Sequence, residues 1–89
     1  MYKIKILPQA GKDIRNYKKS GNKKAILKIH TIFNELQQHP TTGTGKPEQL
    51  KHELSGYWSR RIDKKNRIIY RIEEDVITVV IVSASGHYM

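Results

Sequence analysis

The chain contains no cysteine, so neither a disulfide nor a thiolate metal site can brace it. It has one tryptophan, one phenylalanine and three prolines in 89 residues. At that length folding buries only about 60% of the surface of the unfolded chain, which leaves a thin margin of stability. Long apolar runs are also missing. The longest nearly apolar stretch, "VITVVIVSA" from Val76, is far too short to span a bilayer. The opening "MYKIKILPQAGK" lacks the apolar segment of a secretory signal. Acids are scarce, eight against seventeen lysines and arginines, for a net charge of +9. With no lipidation motif and no separate basic amphipathic helix, that excess points away from a membrane surface. It points towards nucleic acid or an acidic protein partner.

The pattern along the chain predicts one small α+β domain spanning 1–89. Tyr2, Ile4 and Ile6 alternate with Lys3 and Lys5, as in a half-buried strand. Pro8 ends that strand and suits the first turn of a helix running to about Lys19, with Ala10, Ile14 and Tyr17 on one stripe. Ser20-Gly21-Asn22 breaks it and caps a second helix, Lys23 to Gln38, whose Ile26, Ile29, Ile32, Phe33 and Leu36 follow helical spacing. Pro40 stops this helix. "TTGTGKP" superficially suggests a phosphate-binding loop, but Pro40 stands where its first glycine belongs and Pro47 where its Ser or Thr belongs. Glu48 to Leu54 is expected to form a single helical turn with Leu50 and Leu54 inward. A three-stranded antiparallel meander follows: 57–62, 67–72 and 76–84, separated by "DKKN" and "EED" turns. Both helices are expected on one face of the sheet.

Alternation gives the meander two faces. Trp58, Ile62, Ile68, Tyr70 and Ile72 form the core-facing set, leaving Ser59, Arg61, Arg67 and Arg71 on the opposite face. Pairing even with even residues requires an odd-length loop or a bulge near 63–66. Arg60 breaks the pattern, and its charge places it at the rim. Glu35 and His30 are expected to be ordinary surface residues, and Glu73-Glu74-Asp75 a solvated hairpin tip.

Cleaving RNA without a metal needs a base for the ribose 2′-OH, an acid for the departing 5′-oxygen, and cations beside the phosphorane. A carboxylate or imidazole can be the base, an imidazole the acid, and arginine grips phosphate bidentately. The histidines show no ligand spacing for a metal. His39 ends a helix and His52 is ambiguous. His87 follows the most apolar strand, which would deliver it to the sheet edge beside Arg61 and Arg67. Tyr88 is the better base-stacking candidate, since Trp58 belongs to the core. Three readings remain open from these residues: a ribonuclease, a non-catalytic basic RNA- or ribosome-binding domain, and a module whose basic face receives an acidic peptide.

"GKPEQLKHELSGYWSRRIDKKNRIIYRI", followed after a strand by "GHY", resembles the Txe/YoeB branch of the RelE toxin superfamily. The chain departs from that pattern at Ala84-Ser85-Gly86 and in the extra Met89. The resemblance implies a RelE-like fold, akin to small microbial ribonucleases. It implies a type II toxin that cleaves messenger RNA on the ribosome, in the bacterial cytoplasm, with no cofactor and no metal. By matched position, Glu48 would be the general base, His87 the general acid and Arg67 the phosphate stabiliser, supported by Arg61. Lys51 and Tyr88 would bind or orient RNA. The implied partners are ribosome, mRNA and a cognate antitoxin of the YefM/Phd kind; a homodimer is compatible with the pattern.

Overall fold

A computed structural model describes residues 1–86; Lys3–Ile6 form β1, Pro8–Lys19 α1, Lys23–Gln38 α2 and Glu48–Gln49 β2. A 3₁₀ turn at His52–Leu54 precedes β3 (Trp58–Arg61), and β4 (Arg67–Glu73) leads through a second turn, Glu74–Val76, into β5 (Thr78–Ser83). The five strands lie in the order β1-β5-β4-β3-β2. All neighbours are antiparallel except β1 and β5, which run parallel with Lys3 opposite Thr78 and Ile6 opposite Ile81.

Local chemistry starts and stops the helices as the sequence suggests. Pro8 occupies the first turn of α1, where its missing N–H is no loss. The Asn22 side chain caps α2 by accepting a hydrogen bond from the Ala25 N–H at 3.1 Å. Ala10 and Tyr17 of α1 and Ala25, Ile29, Ile32 and Leu36 of α2 pack against one face of the sheet, meeting Ile62, Ile68, Tyr70, Val79 and Ile81. The expected parity holds: Trp58 pairs with Tyr70 and Arg60 with Ile68, across a loop of residues 62–66 whose odd length needs no bulge. A bulge lies elsewhere. Ile69 pairs with Ser83 but Tyr70 with Ile81, so Val82 is an extra residue that re-aims the end of β5.

Three expectations are corrected. Glu48 is not in a helical turn; it pairs with Ser59 as an edge strand, and only His52–Leu54 is helical. Backbone pairing with β3 outweighs the weak helical propensity of so short a segment. Arg60 is not at the rim but fully buried, with 0% side-chain exposure. Its partner is Glu35, which is therefore no ordinary surface residue: Arg60 Nη1 donates to Glu35 Oε1 at 2.6 Å. The rest of the guanidinium is spent on the loop after α2, donating to the carbonyls of Thr44 at 3.4 Å, His39 at 2.9 Å and Thr42 at 2.6 Å. Tyr70 Oη receives Arg60 Nε at 3.3 Å and donates to the Pro40 carbonyl at 2.6 Å. A buried cation is tolerable only when paired and hydrogen-bonded in this way.

Candidate active site

Sheet register builds the site. Side chains alternate across β3 and β4, so the residues opposite the core set stand together on the face away from the helices. Glu48 lies opposite Ser59, Ser59 opposite Ile69, and Arg61 opposite Arg67. One carboxylate and two guanidinium groups therefore share a face on three adjacent strands, Arg61 two residues beyond the position facing Glu48. Glu48 and Arg61 line one recess of about 270 Å³ with Lys46 and Pro47. Lys51 shares a second hollow with Glu48, along the run from Glu48 to Leu54. Glu48, Lys51 and Arg61 are exposed and Arg67 is half-buried.

The sequence did not single out Lys46, although it lines the recess beside Glu48. Its signal was its place between Gly45 and Pro47, in the loop tied down by Arg60. Gly45 has φ +86°, and its carbonyl accepts the Arg61 N–H at 2.7 Å. A Cβ there would fall 2.7 Å from the Arg61 carbonyl oxygen, so this close approach needs glycine. At the foot of the site, Ser59 is fully buried, and its hydroxyl has no hydrogen-bond partner among the described residues. No cluster of three or more His, Asp or Glu among the described residues could hold a metal ion.

His87 and Tyr88 lie outside the described residues. What leads to them is well held. The Ala84 N–H donates to Asp13 Oδ2 at 2.9 Å, and Tyr17 Oη donates to the Ala84 carbonyl at 2.8 Å. Burial, with the charges of Asp63 and Asp13 nearby, pushes the Tyr17 phenol up to about 12. Two residues on, the Gly86 N–H donates to Asn66 Oδ1 at 2.9 Å, and the Gly86 carbonyl accepts the Arg67 N–H at 3.2 Å. The described chain thus ends against the backbone of the arginine that opens β4.

A family model for the YoeB-like toxin of bacterial type II toxin-antitoxin systems matches residues 7–88. The chain belongs to this family. It is a YoeB-like toxin of a type II toxin-antitoxin system, and the match takes in both helices as well as the charged segment around Glu48. It is similar to Toxin RelK of Mycobacterium tuberculosis, 44% identical over 69 residues that make up 78% of this chain and 79% of RelK. In structure it is similar to a YoeB/ParE toxin from Agrobacterium tumefaciens, with TM-score 0.90 at 28% identity, covering 97% and 99% of the two chains. It is also similar to the toxin in a heterotetrameric YoeB-YefM complex from Staphylococcus aureus, with TM-score 0.82 at 32% identity and 99% of each chain covered. The YoeB-like chain has no helix among its described residues that is long and apolar enough to cross a membrane.

Proposed function

We propose that this toxin is a ribosome-dependent mRNA endonuclease working by acid–base chemistry with no metal in the step. The observation that carries the reading is the placement of Glu48, Arg61 and Arg67 on one sheet face. Glu48 takes the proton of the ribose 2′-OH, and that oxygen attacks the adjacent phosphorus. The phosphorane's added charge is met by the forks of Arg67 and Arg61, which match phosphate geometry. The P–O5′ bond then breaks, His87 gives the leaving 5′-oxygen its proton, and the products are a 2′,3′-cyclic phosphate and a free 5′-hydroxyl. Lys51 supplies charge to the RNA strand and Tyr88 a stacking surface. The S. aureus neighbour is a YoeB-YefM toxin-antitoxin complex, and on that likeness a YefM-type antitoxin would hold this toxin. Our own reading is that its acidic segment lies over the arginine face.

The test is cleavage of a defined message on programmed ribosomes by wild type, Glu48→Ala and His87→Ala. Loss of a general acid or base should slow cleavage by about 10²–10⁴-fold. The new ends should carry the cyclic phosphate, and chelation that leaves ribosomes intact should not stop the reaction. Growth arrest by the Glu48→Ala/His87→Ala double variant at wild-type strength would favour a non-catalytic ribosome-binding domain instead.

A further inference from the structure

Gly45 and Lys46 form a ridge with a hollow on either side. One is the recess shared by Glu48 and Arg61. The other, of about 310 Å³, is lined by Lys28 of α2, Lys46, Arg61 and Lys64 of the β3–β4 loop, with Gly45 and Ile62 between them. Lys46 and Arg61 line both, so the two hollows adjoin. Four cations from four separate parts of the chain converge here, which the solvated face of a single helix does not do.

Asp63 also borders this hollow. Burial pushes its carboxyl up, but hydrogen bonds from the Asn66 side chain and the backbone N–H groups of Lys65 and Asn66 outweigh burial, and it stays ionised. Both its oxygens are turned to those partners at 2.8–3.1 Å. The balance is four cations against one carboxylate already spent on its own loop.

The ridge is held in an unusual backbone state. Lys46 has φ +51°, the left-handed region that a side chain with Cβ enters at a cost of roughly 1–2 kcal/mol. Such strain persists where the surroundings enforce it, and clusters at ligand sites. Here the enforcing contact is the 2.7 Å bond from the Arg61 N–H to the Gly45 carbonyl.

We propose that the Lys28–Lys46–Lys64 hollow binds an RNA phosphodiester next to the one presented to Glu48, so that the strand crosses the Lys46 ridge. The proposal rests on the reading that RNA lies at Glu48. The two hollows adjoin at Lys46 and Arg61, which favours a strand over an isolated acidic side chain, because a polyphosphate backbone carries charge across both.

The experiment uses the full chain carrying Glu48→Gln, which keeps the shape of the carboxylate while blocking its use as a base. Lys28→Gln/Lys64→Gln is added to this parent, and, as a control of equal charge change, Lys18→Gln/Lys19→Gln at the end of α1. Binding of a short single-stranded RNA is measured over a range of KCl, with circular dichroism confirming the fold. Loss of one phosphate contact should flatten the slope of log Kd against log salt by about 0.7 and weaken low-salt binding about tenfold. The Lys18/Lys19 control should keep the parent slope. An unchanged slope in the Lys28/Lys64 variant overturns the proposal, and so does an equal change in the control. Weakened binding of an acidic antitoxin peptide with the RNA slope intact assigns the hollow to the peptide, which also overturns it. Cleavage retained by Glu48→Gln would sink the role of Glu48 as general base while leaving the slope comparison valid.

Discussion

Removing the Glu35 carboxylate should strand the Arg60 charge. The Arg60 side chain has no solvent exposure and Glu35 has 21%, so the pair is buried on one side and grazed by water on the other. Deleting one partner of a fully buried pair costs about 3–5 kcal/mol. Arg60 would keep the carbonyls of His39 and Thr42 and the Tyr70 hydroxyl, which argues for the lower end, about 3 kcal/mol for Glu35→Ala. Thr44 would lose the acceptor of its N–H and its hydroxyl as well, at 2.7 and 2.6 Å. For a domain this small, each kcal/mol moves Tm by about 4–8 °C, so calorimetry at pH 7 should show a fall of about 12–24 °C. Glu35→Gln keeps an oxygen facing Thr44 and Arg60 and should lose less. Acid adds a second signature. Burial raises the Glu35 carboxyl, but hydrogen bonds from Thr44 and Arg60, with the Arg60 charge, outweigh it and hold the carboxyl below its ordinary value. A depressed folded pKa stabilises the fold above the unfolded value, about pH 4, and that stability drains away as pH falls through the folded one. Urea midpoints of wild type should drop in that window, and Glu35→Gln should lack that component. A Glu35→Ala loss under about 1 kcal/mol would refute the view that the loop depends on this pair.

Tyr17→Phe should cost about 1 kcal/mol through the lost bond to the Ala84 carbonyl. Because the folded phenol titrates at about 12, above its unfolded value, wild type should also shed stability between about pH 10 and 12, and phenolate absorbance in the variant should lack that late step. Ser59→Ala should be neutral or slightly stabilising in urea melts, since the buried hydroxyl lost water and gained no partner among the described residues; a loss above about 1 kcal/mol would show that it has one.

Period and punctuation made much of the fold legible. The stripe Ile29, Ile32, Leu36 marked the buried side of α2, Asn22 its cap, and even-numbered parity the inner face of β3 and β4. Arg60 is instructive because parity placed it inward and its charge argued it outward. Alternation was right, and the charge was misleading because its counterion, Glu35, sits 25 residues away on α2, a pairing no local pattern displays. The strand state of Glu48 was hidden for a similar reason: two residues carry no period, and only pairing with Trp58 and Ser59 makes them a strand. Arg61 and Arg67 were placed on one face correctly, since hairpin register is a local property. The parallel contact of β1 with β5 had no local signature at all.

That last contact has a consequence for synthesis. The strand made first finds its sheet neighbour only when the strand made last, Thr78–Ser83, has emerged, and Val79, Val80 and Ile81 bring fully buried side chains with it. Closing so long a loop early offers a nascent chain no reward for its entropy. A truncated or still-growing copy therefore has an unclosed sheet and no β5 beside the arginine strand. On the proposed function, the arginine strand stays without its β5 neighbour until Ser83 has left the ribosome that makes it.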